Sequence, residues 1–124
     1  MRKNMIALFV VVLFVIVSVT GTLFAGITTT YNTSTRQKIG AITNYASVTK
    51  LASGKLFPSS GLARLQICNA DGTIVLAYED YYVNPQNPSY VTCSVSSGVT
   101  VSFYVKSVQN GQQVYGSMVY GIVA

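Results

Sequence analysis

The chain has 124 residues, with eight Lys or Arg against three Asp or Glu and no His, for a formal net charge of +5. Only 9% of its residues are charged, against about 25% in an average soluble domain, so Ser, Thr, Tyr, Asn and Gln supply the polarity. These numbers exclude a His-based catalyst, leave few groups for carboxylate chemistry, and limit the chain to one small domain beyond its leading segment.

That leading segment, residues 5–25 (MIALFVVVLFVIVSVTGTLFA), is uncharged and directly follows Arg2 and Lys3. About 20 apolar residues at a helical rise of about 1.5 Å match the roughly 30 Å hydrocarbon core of a bilayer. The pattern predicts a membrane span, a cleavable export signal or the apolar stem of a polymer. The two cations hold the N-terminus in the cytoplasm and send everything beyond Gly26 across. The remainder is therefore expected at the cell surface or outside it.

From Ile27 to Ser53, apolar side chains recur at Tyr31, Ile39, Ile42 and Ala46 and at Tyr45, Val48 and Ala52. Spacings of three and four predict a helical continuation of the stem, although the Thr-rich stretch Thr28 to Thr35 is a poor helix former. Gly54 is placed to cap that helix and Pro58 to stop it, so residues 54–60 read as a linker. The resulting plan is a leader and stem helix over 1–26, a helical continuation and linker over 27–58, and an extracytoplasmic β domain over 59–124. Arg36, Lys38, Lys50, Lys55 and Arg64 read as a positive collar beside the membrane rather than a nucleic-acid surface, since no aromatic-interleaved basic stripe follows. Asn32-Thr33-Ser34 matches the N-glycosylation acceptor pattern, with Asn32 as the acceptor, whereas Pro88 excludes Asn87.

Beyond the linker the apolar period becomes two. Strands are predicted over 62–69, 73–82, 89–95, 99–108 and 113–123, each rich in Val, Ile, Thr, Tyr or Phe and bounded by turn residues. Asp71-Gly72 and Asn110-Gly111 are hairpin signals, and Ser96-Ser97-Gly98 is a looser third turn. Cys68 and Cys93, in a chain routed to an oxidising compartment, are expected to form a disulfide. Closing that loop of about 25 residues would stabilise the domain by roughly 3.5 kcal/mol. In a flat meander the first and third strands lie about 9.6 Å apart, beyond disulfide reach, so the pairing would require a curled sheet or small sandwich. The last strand is apolar on both faces and so calls for cover on both.

No catalytic set emerges from these residues. Asp71 is a turn residue, and the neighbours Glu79 and Asp80 point to opposite faces of one strand. No phosphate loop, metal-ligand spacing or dinucleotide fingerprint occurs, so the chain calls for no cofactor and reads as a non-enzyme. The expected fold is α+β: a long apolar N-terminal helix followed by a small antiparallel sandwich or curled sheet of about five strands.

A basic leader, an apolar stem, a polar helical continuation and a terminal β domain together resemble an archaeal type IV pilin, although Asn4 stands where that family's cleavage site has Gly or Ala. The resemblance implies a filament homopolymer inserted in the membrane before assembly, with Ile6, Leu8, Phe9, Leu13, Phe14 and Ile16 in the inter-subunit core. Two other readings remain open from the residues. One is a secreted β protein cut after Leu23-Phe24-Ala25, whose Thr-rich start pairs as a strand donated to a neighbour. The other is a surface or virion protein anchored by an uncut span.

Overall fold

The computed structural model describes residues 16–19, 22–83 and 89–123, and every regular element among them is a β-strand. Two short strands, β1 (Ile16–Val19) and β2 (Thr22–Ala25), pair antiparallel with each other. They are followed by β3 (Ile27–Thr33), β4 (Arg36–Thr43), β5 (Lys50–Ser60), β6 (Ala63–Asn69) and β7 (Val75–Tyr81). The chain ends with β8 (Val91–Val95), β9 (Thr100–Ser107) and β10 (Val114–Ile122). Strands β3 to β10 form two four-stranded antiparallel sheets, ordered β3-β10-β5-β8 and β4-β9-β6-β7. Among these eight, only β6 and β7 are chain neighbours that share a sheet; every other step crosses to the opposite one. That double crossover is the arrangement of a jelly-roll sandwich.

The expected α+β class is thus corrected to all-β. Residues expected to continue a helix as far as Ser53 are β3, β4 and the start of β5, and no helix among the described residues is long and apolar enough to cross a membrane. The physical reason lies in the side chains: Thr, Ile and Tyr dominate β3, and β-branched residues lose less in a pleated strand than against a helical turn. The spacings of three and four were coincidental, because Tyr31 and Thr33, both buried, already follow a period of two. The polymer-core candidates Ile6, Leu8, Phe9, Leu13 and Phe14 lie outside the described residues, and Ile16 opens β1 opposite Ala25.

The expected linker at 54–60 is instead the second half of the longest strand, β5. Gly54 does not cap a helix there; a Cβ on it would lie 2.8 Å from Leu65 Cδ2, so glycine lets the two sheets close on each other. Pro58 is tolerated because β8 pairs only with Lys50 to Gly54, and because the register with β10 shifts between Tyr115 and Gly116, next to its partner position. A residue without an N–H is confined to such places in a sheet.

The five strands read between 62 and 123 occur as β6 to β10. Their turns are tight: Gly72 N–H donates to Asn69 O, Val99 N–H to Ser96 O and Gln112 N–H to Gln109 O, with Gly72, Gly98 and Gly111 all at positive φ. Yet only the first of these turns joins hydrogen-bonded strands; the 96–99 and 109–112 turns lead the chain into the other sheet. Between the sheets, Tyr31, Leu56, Val114 and Met118 meet Leu65, Ile67, Val101, Phe103 and Val105 in one buried core. The rings of Phe103 and Tyr120, one from each sheet, lie 4.7 Å apart and tilted by 46°. At about 1.5–3 kcal/mol for each large apolar side chain, this core is the main force holding the sandwich. Strand β10 sits centrally between β3 and β5, with Met118 and Tyr120 in the core and Val119 buried on the opposite face.

Candidate functional site

The outer face of the β4-β9-β6-β7 sheet gathers most of the polar chemistry of the sandwich. Leu65, Ile67, Val101, Phe103 and Val105 take the inward positions of β6 and β9. Strict alternation then turns Arg64, Gln66, Cys68, Ser102, Tyr104 and Lys106 outward. The registers align these positions across the strands. One row runs Arg36, Lys106, Arg64, Asp80; the next runs Lys38, Tyr104, Gln66, Tyr78. Four cations therefore share a face with one carboxylate.

Two guanidinium groups are held in fixed positions on this face. Arg36 lies over the Tyr104 ring, 3.8 Å from its centroid. Its Nε donates to Gln66 Oε1 at 2.9 Å, and Nη2 to Gly72 O at 2.9 Å and to Cys68 Sγ at 3.4 Å. Gly72 completes the fit, since a side chain there would collide with the Tyr104 ring. Arg64 lies over Tyr78 at 4.4 Å from the centroid, with Nε donating to Asp80 Oδ1 at 2.7 Å and Nη2 to Asp80 Oδ2 at 3.2 Å. This is the one ion pair among the described residues. The hydrogen bonds that Arg64 donates to Asp80 raise its pKa above the ordinary value, so this cation is permanent.

Beside Arg64 the face dips into an open depression of about 460 Å³, lined by Arg64, Gln66, Val75, Leu76, Ala77 and Tyr78. Gln66 is only 6% exposed, whereas Leu76 and Tyr78 are 47% and 55% exposed. Strand β7 is a sheet edge, so these apolar groups face solvent without a neighbouring strand. The site thus offers a fixed cation, an amide, one aromatic and an apolar rim.

The cysteines are both free thiols, which corrects the expected disulfide. Cys68 faces outward on β6 beneath Arg36, whereas Cys93 faces the core from β8 in the other sheet. A whole sheet separates them. Burial pushes both thiols up, for Cys68 against the opposing pull of Arg36. Asn32 is exposed on the edge strand β3, where its amide oxygen accepts from Gln113 Nε2. Glu79 and Asp80 fall on opposite faces, opposite Leu65 and Arg64 respectively. Among the described residues no three of Cys, Asp and Glu converge on a point where a metal could sit.

Along the chain Arg36, Lys38 and Arg64 read as parts of a collar, whereas the strand order puts them on one face with Lys106. The signal for the face was present as alternation: Arg36-x-Lys38, Arg64-x-Gln66, Tyr78-x-Asp80 and Tyr104-x-Lys106 each put two polar or aromatic groups on one side of a strand. What joined them was the strand order. Neither protein-family models, nor curated proteins, nor solved structures give a match to this chain.

Proposed function

We propose that this chain is an exported surface protein in which an apolar, cation-led N-terminal segment delivers a jelly-roll sandwich across a membrane, where the sandwich works by binding and packing. The observation that carries this reading is that β3 to β10 complete both four-stranded sheets of a sandwich within one chain. The Thr-rich segment that would be donated to a neighbour is β3, paired with the chain's own β10. A pilin-like stem would instead continue as helix through Ser53, where this chain has strands. The anchored or secreted β-sandwich is therefore favoured over the helix-bundled filament.

Protease shaving of intact expressing cells, with N-terminal sequencing of the mature protein, tests the proposal. The expected result is a sandwich that is cut or biotinylated from outside the cell, with a mature start at Met1 or near Gly26. A sandwich reached only after lysis would overturn it.

A further inference from the structure

The depression beside Arg64 has a chemistry more specific than general positive charge. We propose that it binds an acidic saccharide, a sugar unit carrying a carboxylate or sulfate within a surface polysaccharide, with Arg64 taking the anionic group and Tyr78, Val75 and Leu76 taking the sugar's C–H face. The inference rests on the surface reading only for where such a ligand is met.

Four observations converge on this ligand class. Asp80 engages the Nε and Nη2 side of Arg64, which leaves the Nη1 side of the fork turned away from it and available to an incoming anion. Guanidinium and carboxylate or sulfate match in geometry as well as charge. Gln66, on the floor, has its carboxamide oxygen committed to Arg36, so it meets a ligand hydroxyl as an amide donor. Val75, Leu76 and the edge of Tyr78 supply a solvent-facing apolar rim of the kind a sugar ring covers. Lys106 and Arg36 continue the row on the next two strands, so a polymer with further acidic units meets more cations as it crosses the sheet.

The alternatives fit the same groups less well. Single-stranded nucleic acid needs several aromatic faces on which successive bases stack, whereas the depression is lined by one ring, Tyr78. An anionic bilayer would meet only the exposed cations and leave the Gln66 floor of the depression, 6% exposed, without a partner.

Full-length protein in detergent micelles is titrated with polygalacturonate, heparin, neutral dextran and oligo(dT) at physiological salt. The expected result is binding to an acidic polysaccharide but not to dextran, weakened at least tenfold by Arg64→Gln and by Tyr78→Ala. Lys55→Gln, which removes the same charge from β5 in the other sheet, is expected to bind normally. Melting temperature and circular dichroism are read for each variant, so a misfolded protein is recognised as such. Equal losses in Lys55→Gln and Arg64→Gln would reduce the effect to net charge and overturn the site. So would tighter binding to oligo(dT), or no binding to either acidic polysaccharide. None of these outcomes depends on where the protein resides, so the localisation experiment can fail or succeed separately.

Discussion

The two sheets share one core yet are built under different constraints. In the β3-β10-β5-β8 sheet, backbone and glycine come into close contact: a Cβ on Gly116 would lie 2.5 Å from Phe57 O and 2.9 Å from Pro58 Cα. Its outward residues Ser53 and Val119 are themselves buried. The β4-β9-β6-β7 sheet turns Arg, Lys, Tyr and Gln outward and holds them by side-chain hydrogen bonds and ring contacts. The first sheet is fixed by shape, so its residues have few substitutes. The second also buries Gln66, Cys68 and Ser102 along its outer face but leaves Arg36, Lys38, Tyr78 and Lys106 exposed there, and these side chains can be exchanged without touching the core, which is where a protein can place a binding function.

Removing the contact that joins the sheets should have the largest effect. Phe103 is fully buried and meets Tyr120 across the interface. Phe103→Ala is expected to cost about 4 kcal/mol through lost burial and the cavity left behind. The readout is urea unfolding followed by tyrosine fluorescence; a loss under 1 kcal/mol would mean the sheets do not share this core. Next in size is Gly116→Ala, where the methyl collides with backbone atoms of β5 that cannot rotate away and with the Tyr31 hydroxyl at 2.8 Å. Overpacking of this kind costs about 3 kcal/mol. By contrast Arg64→Gln, on the outer face of the second sheet, should stay within about 1 kcal/mol of the parent, as exposed ion pairs do.

The alkaline limit of stability should be shared by the two sheets, since burial raises the phenol of Tyr31 on β3 in the first and that of Tyr81 on β7 in the second. Tyr31 is 2% exposed, its hydroxyl has no hydrogen-bond partner, and burial pushes its pKa up to about 12. An acid whose folded pKa exceeds its unfolded value of about 10 stabilises the fold fully below pH 10, and that contribution is lost as pH rises through the folded pKa. Between about pH 10 and 12 the parent should lose about 2 kcal/mol through this group. Tyr31→Phe should lose that much less over the same range and gain about 1 kcal/mol at neutral pH by removing an unsatisfied buried hydroxyl. Chemical denaturation at pH 9 and pH 11.5 separates the two; identical pH slopes would exclude Tyr31 as a contributor to the alkaline loss.

Legibility followed the range of the interactions involved. The strands from 62 onward could be read because alternation and turn residues are local, and Gly72, Gly98 and Gly111 do adopt the positive φ that their turns imply. Pairing could not be read the same way. The Asn110-Gly111 turn is as tight as a hairpin turn, but β9 and β10 diverge into opposite sheets because each has a better partner there: β6 and β4 for one, β3 and β5 for the other. Residues 27–53 misled because Tyr31, Ile39, Ile42 and Ala46 satisfy a helical template by chance, while the β-branched content that favours strands carries no periodic signal. A sandwich was expected from a disulfide that does not form, and it exists because two apolar sheet faces must cover each other. The cationic face was invisible for the same reason as the pairing: Arg36, Arg64 and Lys106 are far apart in sequence and become neighbours only through the order β4-β9-β6.

That juxtaposition provides the smallest stability effect and the sharpest contrast between the sheets. Lys106 sits in cross-strand register with Arg36 on one side and Arg64 on the other, and like charges in such positions repel. Lys106→Glu turns two repulsions into two attractions and should raise stability by about 0.5 kcal/mol, an effect that disappears at high salt. A face arranged for folding alone would gain from that exchange without loss. If the row instead serves an anionic ligand, the same variant should be slightly more stable and bind acidic polysaccharide more weakly. Stability and binding measured together on this variant distinguish the two cases, since a more stable protein with undiminished binding would leave the row of cations without a use.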